Sequence, residues 1–506
     1  MRIAFVCAED ESLGIGYLSG CLKKAGHEVF LVFEPMQFRR AYLRNQFLAK
    51  IFSREKENLE KIVSLEPDII GFSCVTANFQ WALSFSKKIK KVLKETPILF
   101  GGVHPTLVPE VVIKEPSIDI VCIGEGEEAI LELADSIDKN EGRKDIKNFW
   151  FKKGKRVFKN PPRQLKTNLD SYPPPDKELF YEQLPPSYKE NTSYLSSRGC
   201  PYNCTYCGNE QKRKIYQGLG PFVRQKKVEN VVKELTLFKK KFGTKQILFG
   251  DDIFAINKQW LKDFAPKYKQ EVGLPFSCFI HPKVFDFERA KILKKAGCTY
   301  AWFGIQSGSE RIRKTVLDRF ETNEEIINAA EICHRAGLKF MVDHIFDIPF
   351  ESDKEVLEAI SLYNKIRPDM INCYNLLYFP KSKILQHGLK AGKLSIKDVE
   401  KINRGLEIVY QSGVLSKKNK EARDYYRRYA LLTVSIPLLP SWAVNKIKGS
   451  PKLINLFGEL PLFLIPIVKV ILDVKTGFGF IPLAVIETEF FFTRRFFKDK
   501  FNKLFT

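Results

Sequence analysis

Short apolar runs alternate with amphipathic stretches through the first 140 residues of the chain. The runs predict strands at 2–7, 28–33, 68–73, 97–101 and 119–123, and the stretches between them predict helices near 13–25, 54–64, 79–95, 108–114 and 127–137. Strands and helices that alternate in this way build a Rossmann-like, doubly wound parallel sheet. Ligands bind such sheets beyond the carboxyl ends of the strands, so the loops there are the candidate binding segments of residues 1–140.

A second alternating region extends from 191 to 395. Its apolar runs predict strands at 193–198, 246–250, 275–280, 299–305, 338–344 and 370–376, with helices between them. Six such units predict a partial (βα)6 barrel, whose active site lies at the carboxyl ends of the strands. Between the two regions, residues 141–190 predict a hairpin that turns at Gly154, followed by a proline-rich linker.

The last segment, residues 396–506, predicts a mainly α-helical C-terminal domain. It begins basic and then contains three apolar, aromatic stretches, at 431–442, 460–472 and 490–497. None of them reaches the ~20 uninterrupted apolar residues of a membrane span. Two interpretations stay open: helices that lie in a membrane interface, or a helical domain that packs on the barrel or closes its pocket.

The composition is strongly basic. Lys and Arg number 82 against 59 Asp and Glu, which gives a formal net charge of +23. Such an excess favours anionic partners: nucleic acid, an acidic membrane surface or phosphorylated substrates. Because the sequence contains no nucleic-acid-binding module and no arginine-rich arm, we do not expect nucleic acid as a partner. The basic, apolar tail favours peripheral membrane contact or a lipid substrate.

Cysteine usage and the N-terminus bear on the compartment. Eleven cysteines without the spacing of a disulfide framework predict a cytoplasmic protein, and the tail allows a peripheral position at the inner membrane face. Met1 opens directly into a predicted strand, so we expect no secretory signal.

Three cysteines stand at fixed steps after the first barrel strand. Cys200, Cys204 and Cys207 form a C-x3-C-x2-C pattern. Cysteine thiolates hold iron–sulfur clusters, and three of them leave the fourth iron of a cubane open, as catalytic metal sites leave a position for substrate. A zinc loop is the alternative, but such sites more often show two C-x2-C pairs, and the sequence has no second pair. We predict that the three cysteines are catalytic and bind metal.

The cysteine motif, with Tyr206 before its third cysteine, resembles the signature of the radical S-adenosylmethionine (radical SAM) enzymes. Three segments ahead of it, at 68–78, 100–106 and 123–127, are similar to the cobalamin-binding domain that precedes many barrels of that family. The resemblance covers about residues 1–395. It implies three cofactors, namely a [4Fe-4S] cluster, SAM and cobalamin, and an electron donor such as flavodoxin or ferredoxin.

The resemblance also implies which residues contact the cofactors. On the SAM side they are Tyr206, Gly250, Asp251, Asp252, Gln306 and Ser307. On the cobalamin side they are Ser73, Thr76, Gly101, Gly102, His104, Gly124, Glu125 and Gly126.

Some positions depart from the family pattern. Ser12 stands where classical cobalamin proteins carry the histidine that ligates cobalt, so we expect no histidine on the lower cobalt face, and we expect His104 to shape its turn. Asp347 and Phe350 replace glycines of a family motif, so the local backbone or pocket is expected to differ there, and Lys381 replaces the glycine of a later motif. These departures are candidates for substrate specificity.

The function that the resemblance implies is that of a cobalamin-dependent radical SAM methyltransferase. It acts on an unactivated carbon of a small-molecule or lipid-like substrate, through a 5′-deoxyadenosyl radical and methylcobalamin. One alternative is a radical cyclase or another C–C bond-forming or rearranging enzyme without net methyl transfer. A methylthiotransferase is disfavoured, because Cys7, Cys21 and Cys74 lack the pattern of a second cluster. A non-catalytic corrin or iron–sulfur protein at a membrane is the alternative of another class.

Overall fold

The computed structural model describes residues 1–39, 45–406, 420–477 and 481–504. The elements of the N-terminal region are β1 (Arg2–Ala8), α1 (Leu13–Lys24), β2 (Glu28–Glu34), α2 (Gln46–Ile51), α3 (Glu55–Ser64), β3 (Ile69–Ser73), α4 (Phe79–Val92), β4 (Ile98–Gly101), α5 (Val103–Leu107), α6 (Pro109–Val112), β5 (Ile120–Cys122), α7 (Glu127–Asp138), β6 (Phe149–Lys153) and β7 (Arg156–Lys159).

These strands form one seven-stranded sheet in the order β2-β1-β3-β4-β5-β6-β7. The first five run parallel, as predicted, and β6 and β7 are added antiparallel as the predicted hairpin, with Gly154 at φ 58° in the turn. Apolar side chains occupy both faces of the central strands because helices cover both sides: Ile3 pairs with Ile69, and Val6 pairs with Phe72. The doubly wound sheet is therefore confirmed; the short helices α2 and α5 were not predicted.

After the linker, which contains a 3₁₀ turn at Leu169–Ser171, come α8 (Glu178–Tyr181) and α9 (Pro186–Glu190), and then the barrel region. Its elements are β8 (Asn191–Tyr194), β9 (Ser197–Arg198), α10 (Gly208–Ile215), β10 (Arg224–Gln225), α11 (Val228–Phe242), β11 (Gln246–Phe249), α12 (Lys258–Lys267), β12 (Phe276–Ile280), α13 (Phe287–Ala296), β13 (Cys298–Gln306), α14 (Glu310–Thr315), α15 (Asn323–Ala336), β14 (Lys339–Phe346), α16 (Asp353–Ile366), β15 (Met370–Asn375), α17 (Ile384–Lys390) and α18 (Ile396–Asn403).

Six parallel strands form the open barrel, in the order β15-β14-β13-β12-β11-β8. The predicted six-strand partial barrel is thus confirmed, with one difference at its first strand. The run 193–198 is divided: β8 ends at Tyr194, and β9 pairs antiparallel with β10. The chain changes partner here because the hydroxyls of Ser196 and Ser197 both donate to the carboxylate of Asp251.

The described part of the C-terminal domain is helical, as predicted. Its helices are α19 (Lys420–Ser435), α20 (Ser441–Lys448), α21 (Pro451–Glu459), α22 (Leu464–Thr476) and α23 (Ile481–Leu504); the rest of the predicted domain, at 407–419, 478–480 and 505–506, lies outside the described residues. Helices α19 to α22 share one apolar core with the barrel, to which they contribute Tyr429, Leu432, Ile454 and Ile465.

Helix α23 returns to the N-terminal sheet. Phe492 stacks on Phe33 with a centroid distance of 5.9 Å, and Phe496 packs on Phe52 at 4.8 Å. The tail therefore packs on both domains, which agrees with the packing interpretation of its apolar stretches. Among the described helices, none is by itself long and apolar enough to cross a membrane; α21 and α22 together have the composition of a span but meet at a bend of 95°.

Candidate functional site

The carboxyl ends of the two sheets line a half-open cavity of about 410 Å³. The predicted site residues that line it are Ser73, Gly101, Gly102, Gly124, Glu125, Gly126, Gly250 and Asp252. The barrel side adds Leu195, Ser197, Arg198, Gly199, Lys212, Tyr216, Phe222 and Arg224. The structure thus brings the loops that sequence reasoning assigned to two different cofactors to one cavity between the domains.

A glycine cradle forms the N-terminal side of this cavity. Gly102 has φ 99°, and a Cβ there would lie 2.6 Å from the Cys74 carbonyl oxygen. At Gly124, with φ 78°, a Cβ would overlap the Tyr216 hydroxyl, which accepts from the Glu125 N–H at 2.7 Å. Only glycine fits these two backbone positions, and their bare backbone leaves room for a large planar ligand to approach. The cradle therefore fits a corrin.

Thr76 and His104 are buried outside the cavity lining. The His104 ring lies 4.3 Å from the Phe79 ring, and its two nitrogens, like the Thr76 hydroxyl, have no hydrogen-bond partner among the described residues. Burial lowers the pKa of His104 to about 4. Ser12, where a classical cobalt ligand would stand, accepts the N–H of Ile15 at 3.3 Å and so caps α1.

A partly buried ion network joins the two domains at the cavity wall. The guanidinium of Arg198 lies 2.6 Å from Glu127 and 3.2 Å from Glu125, and Arg224 lies 2.5 Å from Glu125. Although burial opposes it, the hydrogen bond from Arg224 and the charge of Arg198 lower the pKa of Glu125. Arg198 stands two residues before Cys200, so this network fixes the start of the cysteine loop to the N-terminal domain.

The cysteine loop connects β9 to α10. Thr205 anchors it, since its hydroxyl donates to the Val316 carbonyl at 2.6 Å and its N–H donates to Leu317 at 3.1 Å. Cys204 is buried, Cys200 and Cys207 are half-buried, and burial raises the pKa of Cys200 to about 12.

The three thiols do not converge on one ion. Among the described residues, no three His, Cys, Asp or Glu side chains are grouped to hold a single metal ion. One thiol per iron is the arrangement that a four-iron cluster uses, so a cluster does not need the three thiols to converge on one ion.

Arg319 lies beside the cysteine loop and was not predicted from the sequence. Its Nη1 lies 3.7 Å from Cys204 Sγ and 3.4 Å from the Tyr206 hydroxyl. Glu321 at 2.5 Å and His281 at 3.3 Å hold the same guanidinium. No motif spacing marks Arg319, and only the fold brings it to the cysteines.

The acidic pair after β11 divides between two roles. Asp252 lines the cavity and accepts from Asn209 at 2.9 Å. Asp251 is buried and does not line the cavity. The hydroxyl of Ser196 donates to its carboxylate at 2.7 Å, and burial raises the pKa of Asp251 to about 6. Asp251 therefore holds the β8–β9 bend, while Asp252 and Gly250 are the residues of this segment that reach the cavity.

Neither Gln306 nor Ser307, the predicted pair after β13, is among the residues that line the cavity. Gln306 ends the strand at φ 70°, at a register shift against β14. Ser307 is buried, with its hydroxyl accepting from the Ser309 N–H at 3.3 Å and its carbonyl accepting from Arg313 at 2.7 Å. Ser307 is thus part of the strand-to-helix turn.

The three departures from the family pattern share one backbone feature. Asp347, Phe350 and Lys381 have φ of 63°, 64° and 58°. All three are non-glycine residues in the left-handed backbone that favours glycine. Their side chains form contacts that a glycine could not: Asp347 pairs with Lys393, and Lys381 lies 2.5 Å from Glu110 of the N-terminal region.

Comparisons with known proteins match both parts of this arrangement. The profile of the B12 binding domain matches residues 8–134, and that of the radical SAM superfamily matches residues 194–363. An uncharacterized methyltransferase of Pyrococcus horikoshii is 31% identical over 341 residues, which are 66% of this chain and 72% of that protein. The anaerobic magnesium-protoporphyrin IX monomethyl ester cyclase of Cereibacter sphaeroides is 24% identical over 412 residues, 76% of this chain and 63% of the cyclase.

A solved structure shows the same fold across nearly the whole chain. The cobalamin-dependent S-adenosylmethionine radical enzyme OxsB, with aqua-cobalamin bound, superposes with a TM-score of 0.63 at 17% identity, over 98% of this chain and 80% of OxsB.

Proposed function

Because this chain belongs to the radical SAM superfamily and carries a B12-binding domain ahead of its barrel, we propose that it is a cobalamin-dependent methyltransferase that acts on an unactivated carbon of a small-molecule or lipid-like substrate. Its cofactors are a [4Fe-4S] cluster, SAM and cobalamin. The observation that carries the proposal is the shared cavity, where the glycine cradle of one domain faces Gly250 and Asp252 of the other.

The residues present fit both groups. Cys200, Cys204 and Cys207 would hold the cluster, and the cradle at Gly102 and Gly124 would receive the corrin. When bound, the cluster with SAM supplies a 5′-deoxyadenosyl radical, and the corrin supplies the methyl group.

The chain's own contribution is to position and to enclose. The ion pairs of Arg198 and Arg224 with Glu125 fix the distance between the cradle and the cysteine loop. The apolar part of the lining, with Leu195, Phe222 and Ile130, excludes water from the space between them.

A radical cyclase or rearranging enzyme is the second candidate, since the chain is also similar to the Cereibacter cyclase. A non-catalytic corrin or iron–sulfur protein is the third. We further propose that the protein is cytoplasmic and that a one-electron donor such as flavodoxin or ferredoxin reduces its cluster. We also propose that its C-terminal domain makes peripheral contact with a membrane.

One experiment separates the candidates. The protein is purified anaerobically, its iron and corrin are quantified, and it is incubated with SAM, a chemical reductant and a cell extract containing lipids. A methyltransferase forms S-adenosylhomocysteine and 5′-deoxyadenosine together; a cyclase forms 5′-deoxyadenosine without S-adenosylhomocysteine; a binding protein forms neither. Cluster without corrin would contradict the methyl-transfer proposal. Cys204→Ala, with Cys333→Ala as a buried cysteine outside the motif, tests whether both products depend on the loop.

A further inference from the structure

Helix α22 exposes an apolar stripe on one side. Phe463 just before it, and Ile467, Ile471 and Val474 on it, are 64%, 47%, 49% and 73% exposed. Their spacings of four, four and three residues keep them within roughly 80° of one another around the helix axis at about 3.6 residues per turn. We call these four residues the docking face.

The docking face is fixed outward, because the opposite side of α22 is locked to the barrel. Lys469, Leu472, Asp473 and Thr476 are buried on that side. Lys469 Nζ donates to Asn372 on β15 at 3.1 Å, and the carbonyl of Thr476 accepts from Lys339 on β14. Rolling the helix to hide its apolar stripe would break these buried polar contacts.

The two helices that precede α22 in the chain also expose apolar and basic residues. Trp442 on α20 is 70% exposed, and Leu456 on α21 is 54% exposed. Lys446 follows Trp442 by four residues, and Lys452 precedes Leu456 by four, so each lysine shares a helix side with an exposed apolar residue. Lys475 is exposed beside Val474.

The exposed lysines of α20 to α22 are available for a partner. Lys446, Lys452 and Lys475 are exposed and form no ion pair with any residue that the structure describes. Of the two acidic residues between 451 and 477, Asp473 is buried and Glu459 is exposed. Helices α20 to α22 therefore expose apolar residues and a tryptophan together with more lysines than acidic residues, which is the pattern of helices lying in an anionic lipid interface.

We infer that the docking face rests on an anionic bilayer surface, with Lys446, Lys452 and Lys475 against the headgroups. This identifies the surface for the membrane contact in the proposed function, and it extends that function without resting on the reaction. On this arrangement α22 has the bilayer on one side and the barrel interior on the other.

The test uses the full-length protein with vesicles of phosphatidylcholine, with and without phosphatidylglycerol. Wild type is expected to sediment with the anionic vesicles, to be released by salt, and to show a blue-shifted fluorescence component that is lost in Trp442→Phe. Ile467→Ser combined with Ile471→Ser and Val474→Ser is expected to weaken binding at least tenfold. Lys446→Glu combined with Lys452→Glu and Lys475→Glu is expected to abolish the preference for anionic lipid.

The matched control is Val92→Ser combined with Leu237→Ser and Ile396→Ser, which removes three exposed apolar side chains elsewhere and is expected to bind like wild type. Equal binding of both serine triples, or no binding of wild type, would overturn the inference. So would a dimer in solution that the α22 triple dissociates, since a second copy would then cover the face. Sedimentation with vesicles does not require enzymatic turnover. A failure of the membrane inference can therefore be distinguished from a failure of the methyl-transfer proposal.

Discussion

Lys469 on α22 donates a hydrogen bond of 3.1 Å to Asn372 on β15, across 97 residues of chain. Asn372 in turn donates to Asp343 at 3.3 Å, the residue opposite it in the β14–β15 register. The C-terminal helices thus complete a buried polar row in the middle of the barrel sheet. Burial raises the pKa of Asp343 to about 6, and the hydrogen bonds of Trp302 and Asn372 only partly offset it.

This raised pKa makes a prediction about stability and pH. Between about pH 4 and pH 6 the folded protein holds a proton on Asp343 that the unfolded chain has lost, so the stabilisation is complete below about pH 4 and is lost as pH rises through 6. A rise of about two units corresponds to roughly 3 kcal/mol. Asp343→Asn stays neutral at every pH, and its amide oxygen can still accept the hydrogen bond from Asn372, so we expect it to exceed wild type in stability above pH 6 and to approach it near pH 4.

Urea unfolding at pH 4.5 and pH 7.5 measures the difference. Asp135→Asn, the same chemical change at an exposed position, serves as control and is expected to show no pH-dependent gain. A pH-independent difference between Asp343→Asn and wild type would contradict the prediction.

The strands could be predicted well because strands that are buried on both faces consist of long apolar runs, as in β1, β3 and β14. It did not predict the break after Tyr194, because that break depends on hydrogen bonds from Ser196 and Ser197 to Asp251, 55 and 54 residues away. The cysteines could be predicted because their spacing is local.

Arg319 and Lys469 could not be predicted, because their partners come from distant segments and neither stands in a motif. The departures at Asp347 and Phe350 predicted that the local backbone or pocket differs, but the sequence did not show that both residues adopt the left-handed backbone.

The position of Arg319 beside Cys204 predicts an effect on the cluster. A fixed cation next to a ligating sulfur favours the reduced, more negative cluster. Arg319→Met should therefore lower its midpoint potential, and it should also cost about 3–5 kcal/mol of stability by leaving the buried Glu321 unpaired.

An EPR-monitored redox titration of Arg319→Met measures the first effect, and urea unfolding of the same variant measures the second. Arg313→Met removes an equally buried guanidinium that donates to Ser307, the Glu321 carbonyl and Asn323 instead, and it should leave the potential unchanged. An unchanged potential in folded Arg319→Met would show that Arg319 is only structural.

Phe350 predicts an unusual response to glycine. It is 44% exposed with φ 64°, and this left-handed backbone costs a non-glycine residue about 1–2 kcal/mol. Phe350→Gly relieves that cost, so we expect unchanged stability or a gain of up to about 1 kcal/mol. Phe320 is similarly exposed, at 57%, and is not among the residues with positive φ; Phe320→Gly should lose about 0.5–1 kcal/mol. Thermal unfolding of the two variants side by side measures this difference. Equal losses of stability in Phe350→Gly and Phe320→Gly would contradict the prediction that the backbone of Phe350 is strained.

Gly102 tests the cradle directly, because a Cβ there meets backbone and not a movable side chain. The Cys74 carbonyl oxygen would lie 2.6 Å away and the Cys74 nitrogen 2.8 Å away, so in Gly102→Ala the loop must shift. We expect corrin content after anaerobic reconstitution to fall at least tenfold while iron content stays, since the cysteine loop lies on the other domain.

Gly154→Ala is the matched control for backbone strain. Its φ is 58°, and nothing lies within 4 Å of an added Cβ, so it carries the cost of the left-handed region, about 1–2 kcal/mol, without a clash and away from the cavity. If Gly102→Ala folds and retains corrin like Gly154→Ala, the glycine cradle is not where the corrin binds. If Gly102→Ala loses corrin and iron together, the loss reflects unfolding, and Gly101→Ala, whose Cβ would meet Cys122 at 3.4 Å without backbone strain, becomes the milder test of the same wall.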